Sequence, residues 1–143
     1  MIFLKKATHL QLGERGERIV CREMRRKGLT VLRRNYSVHA TGEIDIIGRD
    51  GSCLVFVEVK TRKSEEGARP GEAVNYDKKI RLWKTAHCFI KEIGGHNLRY
   101  RFDVAEVYYK SFFRSRVIYL PSAFDMDHVQ KRLRAQSYQQ IVK

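Results

Sequence analysis

Residues 42–62 read GEIDIIGRDGSCLVFVEVKTR, and the fold turns on how this stretch pairs with itself. Two runs rich in Ile and Val flank Asp50-Gly51, a dipeptide favoured in hairpins because the turn needs positive φ. The pattern predicts strands at 43–49 and 53–61. Side chains alternate faces along a strand, so Glu58 and Lys60 point one way while Val55, Val57 and Val59 point the other. Leu54 and Phe56 make the second strand apolar on both faces and therefore central. A central strand that ends in Glu and Lys is unusual, because unpaired buried charge is costly. With Asp50 and Gly51 as the two loop residues, residue 45 lies opposite residue 56 and diagonal to residue 58. Asp45 and Glu58 then share a face, about 7–8 Å apart at Cα and within joint reach of one ion. An odd-length loop or a bulge would break this parity.

Upstream, LQLGERGERIVCREMRRK (10–27) carries Leu12, Gly16, Ile19, Val20 and Met24 at helical spacing, and Gly28 stops it. TVLRRNYSVH follows, with a strand from Thr30 to Tyr36. Downstream, SEEGARPG (64–71) is a loop broken by Gly67, Pro70 and Gly71. It opens onto EAVNYDKKIRLWKTAHCFIKEIGG (72–95), where Ala73, Val74, Ile80, Leu82, Trp83, Ala86, Phe89, Ile90 and Ile93 predict a long amphipathic helix closed by Gly94-Gly95. YRFDVAEVYY and SRVIYL read as strands, and DMDHVQKRLRAQSYQQIVK as a basic helix with Met126, Val129, Leu133 and Ile141 on one side. The order is α-β-β-β-α-β-β-α, an α/β layered domain around a central mixed sheet with flanking helices. Residues 1–121 form the domain, and 122–143 are its C-terminal basic helical extension.

Composition narrows the function. The 143 residues, 43% of them hydrophobic, suffice for one domain with a real core. Lys and Arg number 29 against 16 Asp and Glu, a formal charge of +13. Such an excess implies a polyanionic partner, because each cation set against a phosphate releases a condensed counterion. Nucleic acid comes first and an acidic membrane surface second. No apolar run approaches the roughly 18 residues of a membrane span. The N-terminal MIFLKKATHLQ has its basic pair after a short apolar run, unlike a signal peptide, so a cytoplasmic location is expected. Cys21, Cys53 and Cys88 are too far apart for a CxxC site and odd in number, so reduced buried thiols are expected. His9, His39, His87, His96 and His128 show no zinc-ligand spacing.

Two convergent carboxylates suit Mg²⁺ or Mn²⁺, hard cations that take oxygen ligands, Mg²⁺ keeping waters for substrate phosphate. Such an ion polarises a phosphoryl oxygen and lowers the pKa of bound water. A lysine beside it orients that water or steadies charge building on phosphorus. ExK alone recurs by chance in a chain this rich in Glu and Lys; what sets Glu58 and Lys60 apart is their place at the end of an apolar central strand after a DG turn.

GERGERIV, GEIDIIGRDGSCLVFVEVKTR, EAV…K and RFDV, in that order, resemble the bacterial YraN family. That family belongs to the restriction-endonuclease-like, PD-(D/E)xK superfamily and is similar to archaeal Holliday-junction resolvases. The resemblance covers Gly13 to Val107, and it implies a restriction-endonuclease-like three-layer fold. It also implies that Asp45 and Glu58 bind metal with the Val59 carbonyl, that Lys60 is the catalytic lysine, and that Glu17 completes the acidic set. Lys78 is the matching lysine of the second helix and a phosphate contact; Arg33, Arg34 and Arg62, in or beside the same strands, are further expected nucleic-acid contacts. Glu14 is the alternative to Glu17, since both follow a glycine. Glu43 is a reserve ligand or, equally, a capping or ion-pairing residue, Asp103 a structural hydrogen-bonding carboxylate and Trp83 a core residue.

The expected function is a metal-dependent endonuclease acting on branched or single-stranded DNA, selective for structure rather than sequence because no base-reading element is visible. A non-catalytic nucleic-acid-binding module with the same fold is the alternative. The resolvase resemblance makes a homodimer reasonable, since a junction presents two symmetric strands.

Overall fold

The computed structural model describes residues 2–63, 74–111 and 113–142. Helix α1 (Ile2–Arg26) leads into β1 (Thr30–Val38), β2 (Gly42–Asp50) and β3 (Cys53–Arg62). Helix α2 (Tyr76–Glu92) is followed by β4 (Arg99–Tyr108), β5 (Arg116–Leu120) and α3 (Asp127–Ile141). The element order is the one the sequence predicts. The loop expected at 64–71 and the Glu72-Ala73 start of the second helix lie outside the described residues.

The five strands form one sheet in the order β1-β2-β3-β4-β5. Only β3 and β4 run parallel, in a register that pairs Glu58 with Val104 and Lys60 with Glu106. Parallel neighbours need a crossover, and α2 is the helix within it. Central β3 divides its side chains as the alternation predicts. Leu54 and Phe56 pack with Leu82, Ala86 and Phe89 of α2. Val55 and Val57 pack with Val20 and Met24 of α1. The result is three layers, consistent with a restriction-endonuclease-like arrangement.

The helices are held by local chemistry as well as by these faces. Asn75 caps α2 by accepting from the Lys78 backbone N–H at 2.9 Å. Gly28, at φ +89°, ends α1 as expected. Helix α1 is longer than its amphipathic core, reaching back to Ile2. Its direction relative to β3 is fixed by two close approaches. A side chain at Gly48 would strike Met24, and one at Gly16 would strike Thr61. The N-terminal half of α1 therefore overhangs the C-terminal end of β3.

The hairpin turn differs from the expected one. Asp50 pairs with Cys53, so the loop residues are Gly51 and Ser52. Gly51, at φ +57°, takes the first turn position, where type II′ hairpins place glycine. Parity survives, because the loop still has two residues, but the partner of each β2 residue moves by two positions.

Other expectations fare unequally. Leu133 packs against the α2-side core, whereas Ile141 is 81% exposed. Trp83 packs against the same core. Of the thiols, Cys21 is buried, while Cys53 and Cys88 are only half-buried. Among the described residues no helix is long and apolar enough to cross a membrane.

Candidate active site

Pairing of β2 with β3 ends at Ile46 and Val57, so the next residues in line, Asp45 and Glu58, meet where the strands part. Asp45 is thus opposite Glu58 rather than diagonal to it, the consequence of the shifted turn. A side-chain bond ties the parting strands, with the Val59 N–H donating to Asp45 Oδ2 at 2.8 Å. Ile44 and Ile46 fall in cores on opposite faces, so strand alternation is interrupted at Asp45. The β1 residue between the partners of Ile46 and Ile44 is Asn35, at φ +51°. Even with this irregularity, Asp45 and Glu58 line one cavity of about 520 Å³, roofed by Asn75, Lys78 and Arg81.

Glu58 is 5% exposed. Its Oε1 accepts an ion pair from Lys78 Nζ of α2, and Lys60 Nζ lies 3.4 Å from the same oxygen. Burial, together with the Glu58 charge, pushes the Asp45 carboxyl up to about 7, against the Val59 N–H that favours its ionised form. Burial and the neighbouring Lys78 hold Lys60 below the usual lysine range, against the pull of Glu58. Burial works against the charge of Lys78 too, yet its bond to Glu58 keeps it above that range.

Helix α1 contributes Glu17, and the structure separates it from Glu14. Glu14 pairs with Arg18 on the surface at 3.0 Å, its side chain 57% exposed. Glu17 is turned inward, receives Arg34 at 3.3 Å, and is near enough to Asp45 to help raise its pKa. Burial raises Glu17 above the usual carboxylate range in spite of Arg34 and Asn35. With its amide oriented to satisfy its neighbours, Asn35 donates to Glu17 Oε2 at 3.1 Å and to Glu43 Oε1 at 3.2 Å.

The remaining expected contacts are dispersed. Arg34 joins the site through Glu17, whereas Arg33 pairs with Glu92 at 3.5 Å and lies over the Tyr36 ring. Arg62 sits at the end of β3, half-buried, with its Nε enclosed. Asp103 is fully buried and accepts from Tyr119 Oη at 2.6 Å, the Ser122 N–H at 2.8 Å and Arg101 Nε at 3.0 Å, which is the structural role expected of it. Two residues escaped the sequence reading. Asn35 had a signal, an asparagine inside a strand, where that residue is depleted. Glu106 had none, because YRFDVAEVYY reads as a plain strand. It is fully buried, beside Lys60 in register, and accepts from Tyr108 Oη at 2.9 Å.

Among the described residues no group of three or more His, Cys, Asp or Glu forms a ready metal cage. Asp45 and Glu58 remain a pair of oxygen donors on one cavity, the raised pKa of Asp45 reflecting its burial first and its repulsion by Glu58 second. That donor set fits a hard ion that keeps water ligands.

A family model described as "Uncharacterised protein family UPF0102" matches residues 16–107. The chain belongs to this family. UPF0102 is the YraN family of the resemblance, and the match contains Glu17, Asp45, Glu58, Lys60, Lys78 and Asp103. A UPF0102 protein of Alkaliphilus metalliredigens is 47% identical over 96 residues, 67% of this chain and 83% of the relative. One from Caldicellulosiruptor saccharolyticus is 40% identical over 98 residues, 68% and 82% of the two chains. A third, from Dictyoglomus turgidum, is 37% identical over 117 residues, 80% and 97%. The UPF0102 match stops before β5 and α3.

Proposed function

We propose that this UPF0102 protein is a cytoplasmic, metal-dependent endonuclease that hydrolyses DNA phosphodiester bonds and selects branched or single-stranded structure rather than sequence. The observation that carries the reading is the meeting of Asp45, Glu58 and Lys60 where β2 parts from β3, with the Asp45 carboxyl pushed up to about 7. Asp45, Glu58 and the Val59 carbonyl would hold Mg²⁺ or Mn²⁺. When bound, the ion supplies Lewis acidity toward a phosphoryl oxygen and a more acidic water.

The chain's own groups do the rest. Lys60, held below the usual lysine range, stands beside Glu58 to steady negative charge on the scissile phosphate. Glu17, clamped by Arg34, completes the acidic set from the α1 side and adds its charge to the field at Asp45. Lys78 leaves Glu58 to meet substrate phosphate. One observation favours the non-catalytic nucleic-acid-binding alternative: Lys78 already neutralises Glu58, so a site with no ion is electrostatically satisfied on that side.

Incubation of junction, flap and single-stranded DNA with Mg²⁺ or Mn²⁺ tests the proposal, with wild type set against Asp45→Ala and Lys60→Ala. Cleavage by wild type and a loss of at least about 100-fold in both variants is expected. Equal activity in all three would place the reaction elsewhere.

A further inference from the structure

A second concave surface lies past the end of the sheet that carries the site. It is a groove of about 470 Å³ lined by Gln11, Leu12 and Arg15 of α1, Lys63 just after β3, and Tyr109 and Lys110 just after β4. Its construction follows from the fold. Gly16 seats α1 on Thr61, so the helix residues before it project beyond the strand ends. The Tyr109 N–H donates to the Arg62 carbonyl at 2.7 Å, which keeps the ends of β3 and β4 side by side as the groove floor.

The charges of this groove differ from those of the site. Lys60, Lys78 and Arg34 each have a carboxylate partner. Arg15 instead donates to Tyr109 Oη at 3.3 Å and lies 5.9 Å from the centre of that ring. Among the described residues no carboxylate pairs with Arg15, Lys63 or Lys110. Three like charges converging on one concavity repel one another, and an incoming polyanion removes that repulsion.

We propose that this groove binds a single strand of nucleic acid as it leaves the site. The proposal rests on the nucleic-acid part of the reading above and not on cleavage. Four residues lie between Glu58 and Lys63, five steps of nearly extended chain that span about 16 Å, the reach of a few nucleotides. A concave basic track with an aromatic wall suits a single strand, whereas duplex is read by elements that protrude into its grooves. Arg15, Lys63 and Lys110 contact successive phosphates. Tyr109 and the guanidinium over it form the wall against which a base rests.

The test is fluorescence anisotropy with labelled oligo-thymidylate and the full chain in EDTA, so that cleavage plays no part. Arg15, Lys63 and Lys110 are exchanged together for Gln. A control replaces Lys84, Lys91 and Arg99, three exposed cations away from the groove. The groove variant is expected to bind about tenfold or more weakly, and its log-log salt slope to fall by about 2, from three lost phosphate contacts at about 0.7 each. The control should keep nearly the wild-type slope.

Lys63→Gln alone, with a slope lower by about 0.7, covers the case of a triple variant that folds poorly. Equal losses in groove and control variants would overturn the proposal, as would a wild-type slope in the groove variant. So would equally tight binding of polyglutamate, which would assign the groove to acidic protein. Groove-dependent binding with no cleavage under any metal would refute the nuclease reading and leave the groove standing. Cleavage with groove-independent binding would do the reverse.

Discussion

Replacing Asp45 by Asn should stabilise the metal-free protein at pH 8 and leave it nearly unchanged at pH 4. Folding takes this carboxyl from 3.8 to about 7, chiefly through burial and then through the Glu58 charge. A displacement of that size corresponds to about 4 kcal/mol against the ionised form. Asp45 keeps a minor part of its surface accessible, and relaxation and solvent screening there reduce the figure to about 2 kcal/mol. The folded state holds the proton more tightly than the unfolded state, so it binds more protons between the two values, and stability falls as pH rises from about 4 to about 7. Above that range the full penalty applies. The amide removes the charge and keeps an oxygen that can accept from the Val59 N–H. Urea denaturation in EDTA at pH 4 and pH 8 measures the effect. The Asp45→Asn variant should be about 2 kcal/mol more stable than wild type at pH 8, equivalent to about 7 °C in Tm for a chain of this size. A variant less stable than wild type at pH 8, or a difference independent of pH, would refute the account of Asp45 as a carboxylate held against its electrostatic preference.

Two further outcomes follow from the same geometry. Lys78→Met should tighten Mn²⁺ binding several-fold by calorimetry, because it removes the cation that pairs with Glu58 Oε1; weaker binding would mean that Lys78 helps to hold the ion. Asp103→Ala should cost about 3 kcal/mol in urea denaturation, since it strips a fully buried carboxylate from Tyr119, Ser122 and Arg101, whereas Asp50→Ala, which breaks the more exposed pair with Arg101, should cost less than about 1 kcal/mol.

The fold and the heart of the site were legible because both rest on local rules. Alternation along LVFVEVK announces a strand buried on two faces, and that strand is the centre of the sheet, with Glu58 and Lys60 on one face. The two-residue loop preserves parity wherever the turn falls, so Asp45 still meets Glu58 although the loop is Gly51-Ser52. Gly28 and the helical spacing before it mark the end of α1, and the family blocks identify UPF0102.

Tertiary structure alone decided the rest, because charge pairing and burial depend on which distant segments share a face. Glu14 and Glu17 both follow a glycine, and the family resemblance favours Glu17; the seating of Gly16 on Thr61 and the approach of Arg34 are what turn Glu17 inward. Glu106 looks like any strand residue until parallel pairing sets it beside Lys60. Arg33 and Arg34 are neighbours on one strand, yet one pairs with Glu92 of α2 and the other with Glu17 of α1, since adjacent strand residues face opposite layers. Lys78 reaches Glu58 because the α2 crossover lays its first turn over the place where β2 and β3 part, a juxtaposition that no local pattern encodes.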